Sequence, residues 1–130
     1  MFFIAATFYI LGRSHNVQTT PGNIEITEEA LLKSGDYYES GKTKLALGNV
    51  DDAIADLNAA IESGAASVDA YVLRGEAYMH TGDYAKALEN LNAALAKDPA
   101  NPVAYYDRYL LNQRIENYEA AMADINNALA

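Results

Sequence analysis

Apolar positions between residues 68 and 101 recur with a helical period. In "DAYVLRGEAYMHTGDYAKALENLNAALAKDP", Tyr71, Gly75 and Tyr78 fall four and three apart, followed by Tyr84, Ala87, Leu88, Leu91, Ala94 and Leu95. Such spacing gathers side chains into one stripe of a helix rather than one face of a strand. It predicts a helix over 69–81, a turn at Gly82-Asp83, and a helix over 84–97 that stops before Pro99. Gly75 and Ala87 are small enough to let the two helices approach closely, with Tyr71 and Tyr78 filling the space beside them.

The pattern is repeated. A shift of 34 residues places Tyr37 on Tyr71, Gly41 on Gly75, Gly48 on Gly82, Ala53 on Ala87, and Leu57-Asn58-Ala59-Ala60 on Leu91-Asn92-Ala93-Ala94. A second shift places Tyr71 on Tyr105, Arg74 on Arg108, Tyr84 on Tyr118, Ala87 on Ala121, Asn92 on Asn126 and Ala94 on Ala128. Three helix pairs follow, over about 34–67, 68–101 and 102–130, with repeated structure beginning near residue 27. Upstream, Thr27 is placed to cap a helix opening with Glu28-Glu29, whose charges suit a helix N-terminus. That helix either runs into the first repeat or breaks near Ser34-Gly35.

The unit resembles the tetratricopeptide repeat: an aromatic residue, Leu-Gly and Tyr on a first helix, then Ala, Phe, Ala and Pro along and after a second. The second unit matches at Tyr71, Gly75, Tyr78, Ala87, Ala94 and Pro99, with Arg74 for the leucine and Leu91 for the phenylalanine. The first matches at Tyr37, Gly41, Ala53, Leu57 and Ala60, departing at Lys44 and Ala65. The third keeps Tyr105, Ala121, Ile125 and Ala128 but has Tyr109 in place of the glycine. The resemblance implies an all-α fold, a right-handed superhelical array of three antiparallel helix pairs. It also implies a concave groove lined by the fifth, ninth and twelfth residues of each unit. Those are Tyr38, Lys42 and Leu45, then Val72, Glu76 and Met79, then Tyr106, Leu110 and Gln113. Chaperone-binding members clamp a peptide's carboxylates with Lys, Asn and Arg. The matching positions here are Tyr38, Lys42, Leu73, Val103 and Asp107, of which only Lys42 is basic, so that clamp is not expected.

Terminal repeats expose apolar surface unless capped. The second helix of the third unit would leave Met122, Ile125 and Leu129 partly open, to be covered by self-association, a partner's helix or further chain.

Charge narrows the partners. With nine Lys and Arg against eighteen Asp and Glu, the net charge is −9, which opposes nucleic acid and anionic lipid and favours a protein partner with a basic flank. The absence of cysteine removes thiolate metal sites and cysteine nucleophiles. His15 and His80 stand far apart, and neither has a second histidine at ligand spacing, so no metal or other cofactor is expected. Gly41-Lys42-Thr43 resembles the end of a phosphate-binding loop, but the first glycine that loop requires falls on Asp36, and Gly35 is one residue early. Gly41 therefore reads as a packing residue. The carboxylate pairs Glu28-Glu29 and Asp51-Asp52 sit at helix starts, and no catalytic grouping falls on the groove, so no enzyme is expected.

Residues 1–12, "MFFIAATFYILG", are almost wholly apolar, and residues 13–26 read as a linker turning at Pro21-Gly22. As a helix the first segment would reach about 18 Å, against roughly 30 Å of bilayer hydrocarbon. Signal or anchor, the end of a longer membrane helix, and a packing arm remain open readings. They favour a membrane-associated or exported protein, with a cytoplasmic one as the alternative. The expected function is a non-catalytic interaction module that binds a partner segment in the groove. The alternative is a structural subunit of a membrane-associated complex, held by residues 1–12 and the open C-terminal edge.

Overall fold

The computed structural model describes residues 28–64 and 67–130. The expectations for residues 1–26 and for a cap at Thr27 lie outside that range. The described residues form six helices and no strand: α1 (Glu28–Ala46), α2 (Val50–Glu62), α3 (Val68–Thr81), α4 (Tyr84–Lys97), α5 (Pro102–Arg114) and α6 (Tyr118–Leu129). α1 runs through Ser34-Gly35 as one helix, so a single glycine there does not break it. Each odd helix packs on the even helix that follows, and each even helix packs on the next odd one.

One turn joins each pair, built three times. The N–H of Asn49 donates to Lys44 O at 2.9 Å, Asp83 to Tyr78 O at 3.0 Å, and Asn117 to Asn112 O at 2.8 Å. These six-residue closures satisfy the last carbonyls of the first helix and require one left-handed residue. Gly48 (φ 83°) and Gly82 (φ 81°) supply it, and in the third turn the position is held by Glu116 (φ 61°). Asp83 and Asn117 then cap the helix that follows, accepting from the N–H of Lys86 and Ala120.

Close approach sets the packing of the first two pairs. A Cβ on Gly41 would meet Leu57 Cγ at 2.9 Å, and one on Gly75 would meet Leu91 Cγ at 3.0 Å. Those leucines are fully buried, beside Ala53 and Ala87. The third pair is built otherwise. Tyr109 replaces the glycine, Ile125 replaces the leucine and is only half-buried, and a buried polar group of Asn112 and Asp124 takes over.

That polar group belongs to a ladder running through the array. Asp56, Asn90 and Asp124 stand one repeat apart on the even helices, and each accepts from the odd helix of its own pair. Ser40 Oγ donates to Asp56 at 2.6 Å, Arg74 Nε to Asn90 at 2.6 Å, and Arg108 to Asp124 through both Nε and Nη2. The Lys44 ammonium and the Ser40 hydroxyl together hold the Asp56 carboxyl below its usual range. The two arginines also reach backwards. Arg74 Nη1 donates to Asn58 of α2 at 2.9 Å, and Arg108 Nη1 donates to Asn92 of α4 at 2.8 Å. Each arginine thus ties its own pair together and bolts it to the preceding one.

Two stability measurements follow. Glu116→Gly relieves left-handed strain and should raise stability by about 0.5–1 kcal/mol in urea unfolding. Arg108→Ala strands the nearly inaccessible Asp124 carboxylate and should cost about 3 kcal/mol, whereas the double change Arg108→Met, Asp124→Leu should recover more than half of that.

Candidate binding face

The odd helices are neighbours of one another as well as of the even ones: α3 contacts both α1 and α5. Their shared face is therefore built from three parallel rows of side chains on a scaffold fixed from behind.

The predicted groove residues divide into two groups on this face. Val72 and Met79 are 6% and 7% exposed and belong to the main core with Leu91, Ala104 and Leu111. Leu45 is likewise buried, with Ala53 and Ala77. These three leave little surface for a ligand: Val72 and Met79 because α3 is covered on both flanks, and Leu45 because it packs from α1 onto Ala53 of α2 and Ala77 of α3. The others keep accessible surface: Lys42, Tyr106 and Gln113 are exposed, and Tyr38, Glu76 and Leu110 are half-buried.

On α5 the exposed groups form one patch. The Tyr106 and Tyr109 rings lie 5.9 Å apart at a tilt of 36°, a spacing typical of attractive aromatic pairs. Gln113 Nε2 donates to Tyr109 Oη at 2.9 Å. Beside this patch an acidic pair spans α3 and α5. Burial pushes the Asp107 carboxyl up to about 6, and the Glu76 carboxylate adds to the shift. Glu76 also faces His80 Nε2 at 3.8 Å, one turn along α3. Across the other boundary, burial and then Asp69 raise the Tyr38 phenol. The face is therefore aromatic and electronegative.

Two of these groups were not among the predicted site residues. In the sequence, Asp107 stands out only as an acid at a carboxylate-clamp position, and Tyr109 only as a replacement for the repeat glycine. The signal that would have found the acid pair is positional: Glu76 and Asp107 occupy the ninth and sixth places of adjacent units.

Among the described residues no three metal-binding side chains converge, and no helix is long and apolar enough to cross a membrane. A shallow depression of about 290 Å³ lies between Leu88, Arg108, Asn112, Asn117 and Asp124. Within it Asn112 donates to Asp124 at 2.8 Å, and Arg108 and Asp124 engage each other.

Antiparallel helix hairpins stacked in register and bolted by repeating polar rungs define an α-helical repeat array. A tetratricopeptide-repeat profile matches residues 38–102, and the chain belongs to that family. Its fold is similar to the Arabidopsis OM64 TPR domain, at 23% identity and TM-score 0.74, covering 77% of this chain and 83% of that one. It is also similar to the second TPR of Spaghetti (RPAP3) bound to the HSP90 peptide SRMEEVD, at 19% identity and TM-score 0.72, covering 78% and 90%. MamA is a third, at 25% identity and TM-score 0.69, covering 74% of this chain and 56% of that one. No curated protein matches the sequence.

The raised Asp107 pKa has a defined sign. An unfolded aspartate loses its proton near pH 4, but the folded one does so near 6. Between those values the folded state holds the extra proton, so stability falls as pH rises through the window and stays reduced above it. Asp107→Asn should accordingly raise the melting temperature by a few degrees at pH 7.5 and change it little at pH 3.5, as calorimetry at the two values will show.

Proposed function

We propose that the chain is a non-catalytic protein–protein interaction module that captures a partner's segment on the face of α1, α3 and α5, the concave side of the array. The observation that carries this reading is the Tyr106–Tyr109 patch lying beside the half-buried Glu76–Asp107 pair. Aromatic side chains supply contact area at low entropic cost, and a half-buried carboxylate with a second acid near it favours a cation. The segment that fits is mixed, with an apolar side chain for the tyrosines and a lysine or arginine for the acids. A peptide like the SRMEEVD held by Spaghetti, with two glutamates and an aspartate, would meet like charge here. Lys42 is the one clamp position with a base.

A second reading, a subunit of a larger assembly, is supported by the open apolar strip of α6. Its membrane component rests on residues 1–12, outside the described range.

Panning a random peptide library against the intact chain tests the groove. Enriched sequences should pair Lys or Arg with an apolar neighbour. Tyr106→Ala, in a variant that melts normally, should weaken them about tenfold, and Asp107→Lys by more. Enrichment of acidic peptides, or affinity indifferent to both changes, would refute the reading.

A further inference from the structure

Lys44, Tyr78 and Asn112 stand one repeat apart, at the same place on the three odd helices. In the first two pairs that side chain is long and fills the space between its own helix and the next. Lys44 Nζ reaches Asp56 at 2.7 Å. Tyr78 packs on the main core, with the Lys86 ammonium over its ring at 5.4 Å. In the third pair Asn112 is too short to do either. It donates from Nδ2 to Asp124 at 2.8 Å and is 4% exposed. The residues outside it shrink as well: Lys86 is matched by Ala120, and Glu89 by Ala123.

What remains is the depression of about 290 Å³, whose lining includes Leu88, Asn112, Asn117, Ala120 and Ala123. It lies where the second pair seats the Tyr78 ring beneath Lys86. A dry cavity of about 150 Å³ suffices for benzene, whereas drug-sized ligands fill roughly 300–1,000 Å³. An open depression of this size therefore suits a single ring.

Its chemistry is divided. Leu88 and the methyls of the two alanines form apolar walls. An unused acceptor lies deeper. The Asp124 carboxylate fixes Asn112 with Nδ2 turned toward it, and Asn112 Oδ1 accepts from no donor among the described residues. Every side-chain oxygen or nitrogen sealed from solvent among those residues has a partner. The Oδ1 atom is therefore reachable from solvent, through the depression that Asn112 lines. A cationic ligand would meet the Arg108 guanidinium there and an anionic one the Asp124 carboxylate, two groups already paired with each other. A neutral donor meets neither penalty.

We propose that the depression binds one neutral phenol ring. The ring enters hydroxyl first, lies between Leu88 and the methyls of Ala120 and Ala123, and donates to Asn112 Oδ1. It takes from outside the place that Tyr78 fills from within the chain one repeat earlier. A tyrosine side chain and a free phenol carry the same group. The site shares no residue with the Tyr106–Tyr109 patch and does not depend on the reading of that face.

Nuclear magnetic resonance titration of the nitrogen-15-labelled full chain with p-cresol tests the site. Saturable shifts are expected at the Asn112 side-chain amide and at Ala120 and Ala123, half-complete near about 1 mM for a ligand of this size. 4-Methylanisole, a like ring without the donor, should bind about fivefold more weakly. Ala120→Leu, which puts an isobutyl group into the depression, should weaken p-cresol about tenfold. Ala123→Leu, at an exposed position, repeats that test should Ala120→Leu melt early. N-acetyltyrosinamide separates the sources: binding as tight as that of p-cresol supports a tyrosine side chain, and binding about tenfold weaker supports a free phenol. Residues 1–26 contain Tyr9, so Tyr9→Ala is titrated in parallel. Shifts that appear only in that variant give the slot to the chain's own ring and still support it as a phenol site. No saturable shift in either chain, or shifts that neither leucine variant weakens, overturns the site. Equal binding of 4-methylanisole overturns the hydrogen bond to Asn112.

Discussion

Each even helix has two apolar strips and only one partner within its own pair, and the rest of the architecture depends on that constraint. Leu91 faces Gly75 inside the second pair, while Leu88 and Leu95 face outward and require α5. A hairpin of this kind cannot bury its surface alone, so stability comes from stacking. The arginines add direction to that stacking. Arg74 and Arg108 each hold one even helix of their own pair and one of the preceding pair, which sets the register between hairpins by a bond that a slipped neighbour would lose. Apolar burial supplies the driving force, and the guanidinium forks supply its geometry.

The same constraint fixes the odd helices from behind. With α3 held by α2, α4 and α5 at once, Val72 and Met79 are consumed as core, and only the outermost rows keep accessible surface. Side chains in those rows can vary with little cost to the fold, so members of one family can share a backbone and differ in what they hold. Here the rows carry tyrosines and carboxylates.

The helix pairs were legible from the sequence because packing leaves a periodic trace. Gly41, Gly75, Leu57 and Leu91 recur at the repeat length, and the helices predicted over 69–81 and 84–97 agree with Val68–Thr81 and Tyr84–Lys97. The exposed rows were less legible. Position within a unit says which way a side chain points on an ideal array, but not how deeply a neighbour covers it, so the burial of Leu45, Val72 and Met79 could not be read from the sequence. The ladder was in view yet unread. Arg74 and Arg108 aligned, as did Asn92 and Asn126, but a pair made across a junction joins residues 16 apart on different helices, a spacing no helical or strand period marks. Tyr109 shows the converse limit. The missing glycine is offset by an Arg108–Asp124–Asn112 group that only the three-dimensional arrangement assembles.

Asp107 stands apart from the other carboxylates in its surroundings. Most carboxylates here are either exposed or tied to a donor, as Asp56 and Asp124 are. Asp107 is neither. It is half-buried with its nearest strong electrostatic neighbour another acid, so its ionised form is disfavoured by desolvation and by repulsion together. Asparagine would relieve both effects while keeping the shape. On the proposed function, a cation lodged between Asp107 and Glu76 would relieve the repulsion and offset the desolvation of the Asp107 carboxylate. On that same proposal, the Asp107 and Glu76 carboxylates and the adjoining tyrosines would act in the same direction, toward a ligand that brings positive charge and an apolar surface together.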